Sequence, residues 1–155
     1  MNKIPEKVNG NMKVLFVCTG NTCRSPMAEL CFARMTGGRI RCASAGVYAF
    51  DGEAMSENSL AVLAENSIDG SNFRSQSVTF DLVDSSDWII TMSNSHRQEL
   101  LMRFPEAAAK CAVLCRFSGG GDIPDPYGQS VAVYRKTYAA IESALKNWMD
   151  FFDNK

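Results

Sequence analysis

A cysteine and an arginine six positions apart, Cys18 and Arg24, stand in the stretch VLFVCTGNTCRSPMAEL at residues 14–30. Between them lie Thr19, Gly20, Asn21, Thr22 and Cys23, all small or polar, and Ser25-Pro26 opens a helical pattern immediately afterwards. An apolar strand, a short loop and a helix N-terminus together suit an oxyanion, because successive backbone N–H groups and the positive helix end converge on it. Arg24 adds a planar fork that grips two phosphate oxygens at once, which lysine does less well. The same field is expected to lower the pKa of Cys18 and leave a thiolate facing phosphorus. A thiolate so placed is a nucleophile, and a phosphocysteine is the expected intermediate. Ser25 can donate to the Cys18 sulfur, and Asn21 can brace the loop.

A leaving group departing from phosphorus needs a proton, and the stretch DIPDPYG at residues 122–128 offers a carboxylic acid for it. Asp125 stands between Pro124 and Pro126, whose rings restrict the backbone around it. Read alone, DPYG is a turn before a helix. Its place in the chain is what makes Asp125 a candidate acid. Tyr127 follows it and can form one wall of a substrate cleft, and Tyr48 can form another.

These residues need elements to bring them together. Apolar or alternating runs predict strands at 13–17, 39–45, 87–92 and 110–117. Helical spacing predicts helices at 25–36, with Ser25 as N-cap and Pro26 in the first turn, and at 56–66, 95–103 and 131–152. Strands alternating with about five helices imply an α/β fold. The expectation is one domain over residues 12–153, with a four-stranded parallel sheet, helices on both faces and the phosphate loop after the first strand; residues 1–11 read as a flexible extension. In such sheets ligands bind beyond the carboxyl ends of the strands. Cys18 ends the first strand, and the loop at 118–128 follows the fourth, so the two segments can meet.

Composition narrows the class. The chain has 155 residues, 46% of them hydrophobic and 21% charged, with a net charge of −1. That balance gives no basic field for nucleic acid or an anionic membrane, and no run approaches the roughly 20 apolar residues of a membrane-spanning helix. A cytoplasmic monomer is expected. Among the six cysteines, Cys31, Cys42, Cys111 and Cys115 fall inside apolar patterns and read as buried packing thiols. His96 is the single histidine, so neither a zinc site nor a histidine-based triad is expected, and no cofactor is implied. His96 and Arg97 read as a solvated helix face, and Trp88 and Trp148 as core.

The motifs CTGNTCRS at residues 18–25, SAG at 44–46 and DPYG at 125–128 resemble those of the low-molecular-weight protein tyrosine phosphatase family, over roughly residues 12–150. The resemblance implies that Cys18 is the nucleophile, Arg24 the phosphate clamp, and Asp125 the acid and then the base for water. Asn21, Ser25 and Ser44 become supports of the loop, and Cys23 a thiol able to form a protective disulfide with Cys18. The partners would be phosphorylated proteins, with phosphotyrosine as the default. Two positions depart from the tyrosine-specific pattern: Thr22, where many such members carry a bulky aliphatic residue, and Gly128, where a second aromatic is frequent. Thr22 is similar to the bacterial protein-arginine phosphatase branch, so phosphoarginine is the alternative. Arsenate reductases of this fold need two more cysteines in one mobile segment, and none lies between Cys42 and Cys111. A non-catalytic phosphoprotein-binding module could dispense with Arg24 or Asp125, and both are present.

Overall fold

The computed structural model describes residues 11–154; the predicted N-terminal extension, but for Asn11, lies outside the described residues. The first strand, β1 (Lys13–Cys18), is central to a parallel sheet. It lies between β2 (Arg41–Gly46) and β3 (Trp88–Thr91), with β4 (Cys111–Val113) at the edge beside β3. From Val14 onward β1 is apolar because both of its faces are covered, and its period of two divides it between two cores. Val14, Phe16 and Cys18 join one core, where α1 (Arg24–Met35), α2 (Glu57–Glu65) and α5 (Val131–Asp153) pack. Leu15 and Val17 join the other, under α3 (Phe80–Ser85) and α4 (Asn94–Arg103). Strand order β2-β1-β3-β4 puts the reversal of winding beside β1, and a crevice opens at the carboxyl ends there. Cys18 is the last residue of β1, in register with Gly46 at the end of β2.

Helix α5 buries Tyr134, Tyr138, Ile141, Leu145, Trp148 and Phe152 along one stripe. Trp148 meets Trp88 with ring centroids 5.5 Å apart and donates its indole N–H to the Leu114 carbonyl at 2.8 Å. Both tryptophans are core residues, as expected. No helix among the described residues is long and apolar enough to cross a membrane.

In the elements of the fold and the burial of its cysteines, the sequence reading and the structure part in four places. The expected strand at 110–117 pairs only over Cys111–Val113, and Leu114–Phe117 tightens into a 3₁₀ turn. As an edge strand, β4 has one neighbour, and past Val113 the Leu114 carbonyl is taken by Trp148 instead of a ladder. Helix α3 spans six residues, too short to show a period, although Thr79 caps it by accepting from the Leu82 N–H at 3.2 Å. Helix α1 begins at Arg24, and Ser25 is no N-cap: Cys23 holds that position without a side-chain cap. Cys42 and Cys115 are half-buried, whereas Cys31 and Cys111 are buried as expected.

Candidate active site

The loop from Thr19 to Cys23 turns back on itself through Asn21, which adopts φ 56°, a left-handed conformation that asparagine tolerates better than most residues. The β2–α2 connection laces it in place. Val47 N–H donates to the Cys18 carbonyl at 2.9 Å, Tyr48 N–H to Thr19 at 3.0 Å, and Ser56 N–H to Thr22 at 3.0 Å. This close approach explains the glycine of the SAG motif. A Cβ on Gly46 would overlap the Thr19 carbonyl oxygen.

Buried hydrogen bonds then fix which way the polar groups point. Gln76 N–H, which can only donate, reaches Asn21 Oδ1 at 2.9 Å. Asn21 Nδ2 is therefore turned the other way, toward Ser25 Oγ at 2.9 Å and Ser44 Oγ at 3.0 Å. Both hydroxyls accept from Asn21, which frees their protons to point onward. Ser44 donates to Glu29 Oε1 at 2.7 Å, and Ser25 lies 2.8 Å from Cys18 Sγ. When the sulfur is a thiolate it has no proton to give, so the Ser25 hydroxyl is the donor. Asn21, Ser25 and Ser44 are thus brought together as a support for the loop.

Cys18 is 3% exposed, and that burial pushes its thiol pKa up. The Ser25 hydroxyl and N–H, the Arg24 guanidinium and the Asn21 N–H all pull it back down. Burial prevails, and the expectation of a lowered pKa is corrected here. That expectation counted the loop's positive field and left out the desolvation of the strand end on which the sulfur sits.

Arg24 is 6% exposed and is held at both ends of its fork. Nη1 donates to the Ile123 carbonyl at 3.0 Å, while Nη2 reaches Thr19 Oγ1 at 3.4 Å and Asp125 Oδ2 at 3.6 Å. Ile123 lies in the loop that carries Asp125, so one arginine ties the two halves of the site together. Asp125 Oδ1 also accepts from Tyr127 N–H at 3.1 Å, a local turn bond that holds the carboxylate while its Oδ2 faces Arg24.

The crevice is a cavity of about 300 Å³ lined by Cys18, Thr19, Gly20, Asn21, Thr22, Cys23 and Arg24 at its base. Tyr48, Phe50, Glu53, Asp125 and Tyr127 form its mouth. Ser25 and Ser44 lie behind this surface and act on it through Asn21 and Cys18. Phe50 and Glu53 have no counterpart among the sequence-level candidates. Their signal was positional: they follow β2, whose carboxyl end borders the site. All six cysteines are free thiols. The Cys23 thiol lies 3.4 Å from Ser56 Oγ and 3.3 Å from the Tyr134 hydroxyl, and burial and Cys23 push that phenol up to about 12.

His96 is a second correction. The ring is 5% exposed, with Nε2 2.8 Å from Thr19 Oγ1 and Nδ1 2.8 Å from Ser93 Oγ. Burial and the neighbouring Arg24 bring its pKa down to about 4, so it is neutral at physiological pH. Arg97 is half-buried and donates from Nε to the Cys111 carbonyl at 3.2 Å.

A parallel α/β sheet whose central strand ends on a buried cysteine, beside a clamped arginine and an overhanging carboxylate, defines a cysteine-dependent phosphatase. Comparison with known proteins agrees. Residues 13–155 match the model of the family described as low molecular weight phosphotyrosine protein phosphatase, and the chain belongs to that family. It is 38% identical over 132 residues to the low molecular weight protein-tyrosine-phosphatase PtpB of Staphylococcus haemolyticus, covering 84% of this chain and 92% of the relative. The YwlE arginine phosphatase from Geobacillus stearothermophilus superposes with a TM-score of 0.88 at 34% identity, covering 92% of this chain and 94% of the other. A cysteine-to-serine mutant of YwlE arginine phosphatase, solved with a phosphorylated active-site serine, superposes with a TM-score of 0.86 at 32% identity, covering 92% and 96%.

Proposed function

We propose that this protein phosphatase removes phosphoryl groups from arginine side chains of proteins in preference to tyrosine, through Cys18, Arg24 and Asp125. Cys18 attacks phosphorus as the thiolate, its proton released to solvent and its charge favoured against burial by the Ser25 hydroxyl, the loop N–H groups and Arg24, forming an S–P bond as the bond to the leaving atom breaks. Asp125, as the acid, gives its proton to that atom. Water then attacks the phosphocysteine, Asp125 takes a proton from it, the S–P bond breaks, and inorganic phosphate leaves. Arg24 and the backbone N–H groups of residues 19–24 hold the equatorial oxygens throughout.

The observation that carries the substrate preference is the Glu53 carboxylate at the cavity mouth. Its backbone is pinned by Ser75: Glu53 N–H donates to Ser75 Oγ at 2.9 Å, and Ser75 N–H donates to the Glu53 carbonyl at 2.8 Å. The exposed rings of Tyr48, Phe50 and Tyr127 can stack on a phenyl ring or on a guanidinium plane. A carboxylate discriminates where they do not, because phosphoarginine keeps a positive guanidinium beside the phosphoryl group. The half-buried Thr22 puts a hydroxyl, not an aliphatic wall, at the base.

Side-by-side assays on matched phosphoarginine and phosphotyrosine peptides test the reading. The wild-type kcat/KM is expected to be higher on phosphoarginine. Glu53→Gln should lower it there by about two- to fivefold, the size of an exposed ion pair, and leave phosphotyrosine unchanged. Thr22→Ile should raise activity on aryl phosphates relative to phosphoarginine. A wild-type preference for phosphotyrosine that Glu53→Gln does not alter would refute the assignment and leave phosphotyrosine as the substrate.

A further inference from the structure

We infer that His96 is a positioning residue for phosphate binding: through the Thr19 hydroxyl it sets the orientation of the Arg24 guanidinium. This rests on the reading of Arg24 as the phosphate clamp.

The supporting geometry is a line of hydrogen bonds that enters the site from behind. Ser93 caps α4, its Oγ accepting from the His96 N–H at 3.2 Å, and the same Oγ lies 2.8 Å from His96 Nδ1. Thr91 Oγ1 donates to the Ser93 carbonyl at 2.9 Å and fixes the turn. The ring is therefore held at its rear edge by the start of its own helix, and its front edge, Nε2, is aimed at Thr19 Oγ1. Thr19 Oγ1 in turn is one of the three groups around the Arg24 fork, with the Ile123 carbonyl and Asp125.

Thr19 needs such a partner. It is exposed at the cavity wall, where packing does not by itself select one of the staggered wells of its side chain. Only one of them puts the hydroxyl against Arg24. Asp125 holds the other side of Nη2, but an acid that serves the leaving group must engage the substrate as well. During turnover the fixed partners of Arg24 are Ile123 and Thr19. A threonine free to rotate would let the fork swing, and each phosphate bound would have to order it again. Neutral His96, buried and locked from behind, removes that freedom in advance. Burial and Arg24 both favour the neutral ring, which adds no second cation beside the clamp.

The test is a double-mutant cycle read by the inhibition constant of inorganic phosphate and by KM and kcat on p-nitrophenyl phosphate. His96→Ala and Thr19→Val should each raise both constants by about fivefold, the effect of losing one hydrogen bond, with kcat within twofold of wild type. Because the two act along one line, the double variant should be no weaker than the worse single. His96→Gln, whose amide reaches the Nε2 position, should recover most of the loss. Multiplying losses in the double variant, an unchanged phosphate constant in His96→Ala, or a His96→Gln variant that folds with the wild-type melting temperature yet binds phosphate no better than His96→Ala would each overturn the inference. If His96→Ala does not fold, the cycle is run between Thr19→Val and His96→Gln: Thr19→Val must weaken phosphate and His96→Gln must not. Arg24→Ala separates this from the underlying reading. If that variant binds phosphate like wild type, the clamp assignment itself fails; if it loses phosphate and the His96 variants do not, only the role of His96 falls.

Discussion

Ser25→Ala isolates one hydrogen bond to the nucleophile. Because Gln76 N–H fixes the Asn21 amide, and Asn21 donates to Ser25, the Ser25 proton is directed at Cys18 Sγ over 2.8 Å. The hydroxyl therefore favours the thiolate and opposes the burial that pushes the thiol up. A buried hydrogen bond to a charged partner is worth about 1.5–3 kcal/mol. At about 1.4 kcal/mol per pH unit, its loss should raise the inflection of Cys18 ionisation by about 1 to 2 pH units. The sign follows directly: the thiolate fraction grows as pH rises through the Cys18 pKa, so raising that pKa moves the reactive range to higher pH. The rate of alkylation by iodoacetamide as a function of pH reads it, with Cys18→Ser as the blank. Asn21→Asp is a companion variant, since aspartate also tolerates the left-handed turn. Its carboxylate accepts where the amide donated, so Ser25 turns its proton away from sulfur and the inflection should rise further. An inflection unchanged or lowered in Ser25→Ala would show that the hydroxyl does not donate to the sulfur, and the polarity deduced from Gln76 would be wrong.

Asp125→Ala should slow turnover of p-nitrophenyl phosphate by about 10²–10⁴-fold, the usual worth of a general acid, while phosphate still binds; a smaller loss means that another group protonates the leaving atom. Gly46→Ala drives a methyl group into the Thr19 carbonyl, so it should destabilise the fold by about 1–3 kcal/mol in denaturant titration and weaken phosphate binding; wild-type values would show that the loop yields freely. Mild peroxide should abolish activity, and a dithiol should restore it, through a Cys18–Cys23 disulfide. In Cys23→Ser the loss should be irreversible, and full recovery of that variant would rule Cys23 out as the resolving thiol.

Legibility followed distance along the chain. Cys18, Arg24 and the loop between them lie within seven residues, so their shared chemistry was visible in one stretch. Asp125 lies far off, yet topology requires loops that follow parallel strands to share one end of the sheet, and Arg24 does meet it. The contact of Ser25 with the Cys18 sulfur is as expected, but its reading as an N-cap fails because local rules see only neighbours. A serine before proline looks like a cap, whereas its hydroxyl is spent on a sulfur seven residues back, across a left-handed turn. Glu53 and Phe50 carried no motif, and their place at the cavity mouth comes from the Ser75 contacts, which link segments more than twenty residues apart.

His96 was readable in part. Helix α4, NSHRQELLMR, is so polar that a solvated face is the natural first reading. Yet its two buried residues are His96 and Leu100, four positions apart and so on one face. Leucine at that spacing marks the side turned to the sheet, and a polar residue on that side, one turn nearer the carboxyl ends of the strands, is carried toward the phosphate loop. Burial of an ionisable ring at that place needs partners on both nitrogens, and Ser93 and Thr19 supply them. The histidine that looked surplus to the chemistry is thereby joined to the arginine that grips the phosphate.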